Sequence, residues 1–302
     1  MQIDAIGIGM PKCGTSSLTA MLEQHPQIVW AKRKELFYFN KYRLDGTPNP
    51  AFDQPLTFYE SHWPSNIASD QIRMEFSTNY AYDPLALEKI KSYYPNVKLI
   101  LMIRNPMERC FSHYLYEKEF NRTIPEKFTF RKALDQFPFL LEMGQYASIL
   151  DKILKDFPRE QLHIVVFEEF KRDPQNSIKK TYRFLGIDAN FQSQIAKVNE
   201  SKKVRSSLIR ALTEKPGKAK EWMVHNSELM NKVFNSFMKS KVYSSYQSLK
   251  HKLWDMNTEP LEKPMFDTSD YNYLLEFYRP EIVKLESKTG FPLEKLWIKN
   301  ES

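Results

Sequence analysis

The stretch Ile6–Gly7–Ile8–Gly9–Met10–Pro11–Lys12–Cys13–Gly14–Thr15–Ser16–Ser17–Leu18 decides how the rest of the chain is read. It begins as a short apolar strand, breaks at glycines and a proline, and runs into Thr15–His25, where apolar residues return at helical spacing. A strand, a tight loop and a helix start make an anion cradle, because the backbone N–H groups of a first helical turn lack partners and the helix dipole favours negative charge there.

The nearest pattern is the P-loop of nucleotide-hydrolysing enzymes, G-x-x-x-x-G-K-[ST]. Gly9 to Ser16 reads G-M-P-K-C-G-T-S. The glycines fit, but the lysine stands two places before the second glycine and Thr15 takes its usual position. In the ordinary P-loop the lysine serves the β- and γ-phosphates and the following hydroxyl ligates Mg²⁺. A displaced lysine implies a different transferred group.

Working outward, Ile28–Val29–Trp30 reads as a second strand, followed by Lys32–Arg33–Lys34–Glu35 and the aromatic run Phe37–Tyr38–Phe39. Tyr42–Pro55 is rich in Asn, Pro, Asp and Gly, hence a loop, either an acceptor-side lid or a surface excursion. Arg73–Thr78 alternates as a short strand. Asp83–Pro84 opens a helix that Pro95 ends. Lys98–Arg104 is a continuous apolar run of the kind buried on both faces of a parallel sheet. It ends in Arg104–Asn105–Pro106, with Ser112 six residues inside the helix that Pro106 starts. Arg104 then lies at the carboxyl end of a central strand, where open α/β sheets place ligands, and its planar fork matches phosphate oxygens.

Further helices are expected over Phe128–Phe137, Gln145–Phe157 and Asp173–Leu185, with a strand at Leu162–Phe167 whose trailing Glu168–Glu169 could pass for a metal-binding strand end. Ser269–Thr289 is a periodic helix stopped by Gly290. Tyr273, Leu274, Phe277, Ile282 and Leu285 are expected to pack it, and Pro280 is placed to kink it. The order of elements argues an α/β fold: a P-loop-like parallel sheet of four to five strands flanked by helices, in one domain over 1–302. Residues 214–270, polar and lysine-rich, read as a helical or loop insertion on the acceptor side.

The 302 residues carry 44 Lys+Arg against 37 Asp+Glu, a net charge of +7, which suits a polyanionic cofactor, an anionic acceptor or nucleic acid. No recognised nucleic-acid motif is present. No apolar run approaches the ~18–20 residues of a membrane span, and Met1–Asp4 enters the first strand without a signal-peptide pattern. The expectation is a soluble cytoplasmic protein of bacterial type, although a lumenal catalytic fragment of a longer membrane protein would read the same. Two cysteines, Cys13 and Cys110, are too few for a disulfide framework and are read as free thiols. Cys13 is read as a small residue tolerated in the tight loop rather than as a reactive thiol.

Three segments share a resemblance. The P-K-x-G-T-[ST]-S-L loop after the first strand, the Lys34–Glu35–Leu36–Phe37–Tyr38–Phe39 segment and Arg104–Asn105–Pro106–Met107–Glu108–Arg109–Cys110–Phe111–Ser112–His113–Tyr114 resemble sulfotransferases that use 3′-phosphoadenosine 5′-phosphosulfate (PAPS), nearer to glycan and bacterial members than to cytosolic phenol-type ones. Val198–Ser207 resembles the loop of these enzymes that closes over the nucleotide, and Glu75–Tyr80 a weaker segment near the acceptor.

By that resemblance, Pro11, Lys12, Cys13, Gly14, Thr15, Ser16 and Ser17 hold the 5′-phosphosulfate, with Lys12 neutralising charge on the bridging oxygen. Arg104 and Ser112 grip the 3′-phosphate, Lys202, Lys203 and Arg205 add contacts to it, and Glu35 is the catalytic base. PAPS is the implied donor, with no metal required. The implied partner is a glycan or small-molecule acceptor, with no nucleic acid and no membrane; the sequence does not indicate an oligomeric state. A positioned carboxylate meets a chemical need, since an attacking hydroxyl must lose its proton. The alternatives are a P-loop kinase or NTPase, which would want a lysine after Gly14 and an acidic strand end for Mg²⁺, and a non-catalytic basic protein binding anionic polymers.

Overall fold

Five short apolar runs form one parallel sheet: β1 (Ala5–Gly9), β2 (Ile28–Trp30), β3 (Ile72–Phe76), β4 (Lys98–Ile103) and β5 (Leu162–Val166), in the spatial order β2-β3-β1-β4-β5. The computed structural model describes residues 1–32, 34–195, 202–204, 258–260 and 266–298. Every residue of β1 is buried, as are Leu99 to Ile103 of β4, as expected of central strands covered on both faces. The chain leaves β1 for β2 and β3 on one side, then places β4 and β5 on the other, so the order reverses at the carboxyl end of β1. That switch point is where open α/β sheets leave a crevice for ligands.

Helices follow the strands: α1 (Thr15–Leu22), α2 (Leu56–Glu60), α3 (Pro84–Tyr93), α4 (Pro106–Tyr116), α5 (Phe130–Gln136), α6 (Phe139–Glu142), α7 (Tyr146–Asp156), α8 (Phe167–Arg172) and α9 (Pro174–Leu185). The caps are those the sequence supplies. Asp83, Asn105 and Asp173 each accept from first-turn N–H groups ahead of a proline at the start of α3, α4 and α9. Helix α2 lies in a stretch with no periodic signal.

Contacts divide the chain into two compact units, Met1–Val198 with Phe266–Ser302, and Asn199–Met265. In the second, the described backbone is an antiparallel pair, β6 (Lys202–Val204) and β7 (Thr258–Pro260). Most of 214–270 lies outside the described residues. In the first unit, α10 (Thr268–Thr289) runs through Pro280 to Gly290, and α11 (Leu293–Trp297) follows. Its packing face differs from the expected one: Leu274, Tyr278, Ile282 and Leu285 are buried, whereas Tyr273 and Phe277 are exposed. The i, i+4, i+8, i+11 spacing of the buried set defines a narrow stripe, and 273 and 277 fall one residue off it.

One buried carboxylate ties the sheet to the segment that follows β2. Glu75 on β3 is 1% exposed. Its Oε1 accepts from Tyr59 Oη at 2.9 Å and Tyr80 Oη at 3.0 Å, and its Oε2 from Ser77 Oγ at 2.7 Å. Ser77 Oγ in turn accepts from the Phe37 N–H at 3.1 Å, and the Glu35 N–H donates to the Phe76 carbonyl at 3.2 Å. Glu35 and Phe37 both have positive φ, 60° and 51°. Such backbone is costly outside glycine and persists only where its surroundings fix it; here the strand and its carboxylate do so. The Tyr42–Pro55 loop is fastened to the same segment, through Asn49 Nδ2 to the Phe37 carbonyl at 2.7 Å and the Asn40 carbonyl at 2.8 Å.

Two consequences can be measured. Gly7 pairs with Phe76, and a Cβ on it would lie 2.0 Å from the Phe76 ring. Gly7→Ala should therefore lower unfolding free energy by about 1–3 kcal/mol, the usual cost of overpacking, as read by urea denaturation. Burial pushes the Glu75 carboxyl up to about 7, outweighing the lowering by the Ser77, Tyr59 and Tyr80 hydroxyls. The folded protein thus keeps a proton that the unfolded chain releases at an ordinary glutamate pKa, so stability should fall as pH rises from that range toward 7. Glu75→Gln should flatten this slope between about pH 5 and about pH 7.5; an unchanged slope would assign it to another group.

Candidate active site

The loop after β1 is shaped by backbone first. Lys12 has φ 65° and Gly14 φ 87°. A Cβ on Gly14 would sit 2.5 Å from the Phe167 ring, so both conformation and space require glycine there. Gly14 is the N-cap of α1 and no side chain caps the helix. Among the described residues, none accepts from the N–H groups of Gly14, Thr15 or Ser16. Three converging N–H groups at a helix start leave an unmet demand for an anion.

Side chains of the loop divide between inside and outside. Pro11 and Cys13 are buried, and Cys13 Sγ lies 3.5 Å from Tyr146 Oη. Burial pushes the Cys13 thiol up to about 11, against the lowering effects of Tyr146, Arg109 and Arg104. It is a protonated, inert thiol, as the reading of a small residue in a tight loop expects. Thr15 is buried, while Ser16 and Ser17 are half-buried at the rim. Lys12 projects its ammonium over the Tyr116 ring, 3.9 Å from the centroid.

Arg104 follows β4 and reaches the same loop. Its Nη1 donates to the Lys12 carbonyl at 3.4 Å, its guanidinium lies over the Phe167 ring at 4.8 Å, and Nη2 pairs with the half-exposed Glu108 at 2.5 Å. Its buried Nε has no partner among the described residues. A guanidinium with an unspent donor beside an anion cradle is suited to a second phosphate. Ser112 stands half-buried on α4, and no hydrogen bond joins it to Arg104 among the described residues.

Glu35 approaches from the other side of β1. Its Oε1 accepts from Thr78 Oγ1 at 3.3 Å. Tyr116 links it to the loop: the phenol pKa is raised by burial first, then by the charges of Glu117 and Glu35. The lysine of the loop therefore covers a half-exposed ring whose phenol also feels the charge of the carboxylate after β2. Tyr116 itself ends α4, whose interior carries a buried chain of contacts from Arg109 Nη1 to His113 Nδ1 (3.2 Å) and from His113 Nε2 to Glu117 Oε1 (3.4 Å). Burial pulls the His113 pKa down to about 4, so the ring is neutral, accepts from Arg109 and donates to Glu117. It is spent in holding the end of α4 and is not placed to serve as a base.

Glu168, which could pass for a metal-binding strand end, is used structurally. Its Oε1 accepts from the Asn105 N–H at 2.9 Å and its Oε2 from Trp297 Nε1 at 2.9 Å, and burial raises its pKa despite them. Among the described residues there is no cluster of three metal-ligating side chains, and no helix is long and apolar enough to cross a membrane. Of the residues expected at a 3′-phosphate, Lys202 and Lys203 lie on β6, of which only the backbone course is described, and Arg205 lies outside the described residues.

Tyr116 and Thr78 were given no role from sequence, while Lys34 entered only as the first residue of the Lys34–Phe39 segment and Glu75 only within the segment near the acceptor and as a poorer candidate base. Tyr116 carried a usable signal, standing four residues after Ser112 on the same helix face. Glu75 carried another, as a carboxylate flanked by Met74 and Phe76 on a short strand. Lys34 is lost in the run Lys32–Arg33–Lys34, where charge is usually read as solvated.

Comparison with known proteins accords with this geometry. Residues 2–253 match the family described as the sulfotransferase domain. The human bifunctional heparan sulfate N-deacetylase/N-sulfotransferase 3 is 26% identical over 196 residues, 60% of this chain and 22% of that protein. Mouse heparan sulfate glucosamine 3-O-sulfotransferase 3B1 is 29% identical over 189 residues, 61% of this chain and 46% of that one. The chain thus spans less than half the length of these relatives. A crystal structure of a sulfotransferase from Alicyclobacillus acidocaldarius shares the fold with a TM-score of 0.67 at 20% identity, covering 99% of this chain and 100% of the other. On the strength of the match over 2–253, this chain belongs to the sulfotransferase-domain family.

Proposed function

We propose that the chain transfers a sulfuryl group from PAPS to a hydroxyl or amine of a carbohydrate, by in-line displacement. The observation that carries this reading is the turn between β1 and α1, where the N–H groups of Gly14, Thr15 and Ser16 have no partner among the described residues and Lys12 and Arg104 belong to the same loop region, with Glu35 held by Thr78 beyond the β3 side of β1. The donor, when bound, supplies a sulfuryl group already activated on a phosphate leaving group. The residues fit it: the N–H groups of Gly14, Thr15 and Ser16 and the Lys12 ammonium suit the 5′ end, and the Arg104 guanidinium, now paired with the half-exposed Glu108, suits a second phosphate that takes that partner's place. Glu35 takes the proton from the acceptor, and Lys12 offsets negative charge on the departing oxygen. Positioning and electrostatics supply most of the rate, as in phosphoryl transfer. The glycan reading is supported by relatives named for heparan sulfate. The aromatic residues Phe37, Tyr38 and Phe39, which the sequence alone would allow as a metabolite pocket, are instead mostly interior: Tyr38 and Phe39 pack with Tyr59.

Isothermal calorimetry should show 3′-phosphoadenosine 5′-phosphate (PAP) binding without Mg²⁺ and much weaker binding of adenosine 5′-phosphosulfate, which lacks the 3′-phosphate. Equal affinities would remove the role given to Arg104, and Mg²⁺-stimulated ATP hydrolysis would favour a kinase. Arg104→Ala should chiefly weaken PAP binding.

Glu35→Gln keeps size and hydrogen bonding but removes the base, so turnover should fall about 10²–10⁴-fold with PAP affinity little changed. Near-normal turnover would mean that another group takes the proton. Transfer from labelled PAPS should be detectable on N-acetylated or de-N-acetylated glycosaminoglycan oligosaccharides. Transfer to phenols or sterols but to no saccharide would overturn the acceptor assignment.

A further inference from the structure

In the P-loop pattern the hydroxyl that closes G-x-x-x-x-G-K-[ST] is a Mg²⁺ ligand. Laid on Gly9–Ser16, that pattern puts Ser16 at the metal-binding position. In this structure Ser16 Oγ, at the rim of the loop, accepts a hydrogen bond from the exposed Lys34 Nζ at 3.0 Å. Lys34 comes from the segment after β2, and its place is set by the sheet, because the Ala31 N–H donates to the Met74 carbonyl at 3.2 Å and the Glu35 N–H to the Phe76 carbonyl at 3.2 Å. The residue immediately before the proposed base therefore delivers a positive charge onto the proposed donor loop.

We propose that Lys34 places its ammonium where a P-loop nucleotide enzyme places its divalent ion, on the loop hydroxyl, and from there contacts the phosphosulfate oxygens of the donor. This role rests on the donor reading given above. An ammonium has three donors. One is used on Ser16, which leaves others for anionic oxygens. A phosphosulfate also carries fewer negative charges than a triphosphate tail, so a single positive charge is the nearer match, with Lys12 supplying a second from the other side. Desolvation lowers the Lys34 pKa, and the neighbouring Glu35 and Glu23 oppose that shift. A lysine held only to pair with Glu23 or Glu35 would need no contact with Ser16.

The test compares PAP with adenosine 3′-phosphate, which lacks the 5′ group, by calorimetry on the unaltered chain, Lys34→Ala and Lys34→Arg, with circular dichroism to check folding. A charge-assisted hydrogen bond predicts that Lys34→Ala weakens PAP binding about 10–100-fold. Adenosine 3′-phosphate should bind the variant as it binds the unaltered chain. Lys34→Arg should recover part of the PAP affinity, since the charge is kept, and turnover should fall further than PAP affinity in Lys34→Ala. Equal losses for both nucleotides would make Lys34 merely structural, and no loss for either would remove it from the donor site. Each of those results overturns the role while leaving PAPS as the donor. Failure of the unaltered chain to bind PAP at all would overturn the donor reading itself, and this role with it.

Discussion

The carboxyl end of β1 is clamped from both sides, and the chemistry hangs from that clamp. On the β4 side, the Met10 N–H donates to the Met102 carbonyl at 2.8 Å. On the β3 side, the Ser77 and Ala81 N–H groups donate to the Gly7 and Ile8 carbonyls at 2.9 and 2.8 Å. One strand therefore fixes three things at once: the loop that follows it, the Arg104 that follows β4, and the Glu75–Thr78 stretch that braces Glu35. Because a parallel sheet points all its carboxyl ends the same way, residues distant in sequence meet without any long loop being held in place.

The two sides of this arrangement are stabilised differently. On the β4 side, the determinants are the backbone N–H groups of a helix start with the cations Lys12 and Arg104. On the β3 side, a buried carboxylate with three hydroxyl partners holds a backbone that would otherwise relax. The oxygens of Glu75 are spent on Tyr59, Tyr80 and Ser77. Its effect is transmitted through Ser77 to Phe37 and so to the direction in which Glu35 leaves the sheet.

The fold was legible because its signals are local. The runs Ile6–Gly9, Lys98–Ile103 and Leu162–Val166 could be buried only between two layers, and Asp83–Pro84, Asn105–Pro106 and Asp173–Pro174 announce helix starts that the structure bears out to within a residue or two. The loop was legible because a glycine at φ 87° and a lysine displaced from its usual place leave a written trace. What could not be read depends on meetings across the sheet. Nothing in Lys32–Arg33–Lys34 says which lysine turns toward Ser16, and nothing in Glu75 says that Tyr59 will come from a separate short helix to meet it. The packing of α10 was misjudged for a related reason: with aromatics on several faces, the narrow stripe that wins is decided by the neighbouring helices and not by hydropathy.

Cys13 carries a last consequence. A thiol at a helix start beside two cations would ordinarily be driven toward thiolate, and a thiolate would add negative charge beside the unpartnered N–H groups of that helix start. Turning the side chain inward, against Tyr146, burial keeps the sulfur neutral. The same burial shields it from electrophiles and peroxide. A cysteine in the middle of the turn thereby becomes electrostatically silent.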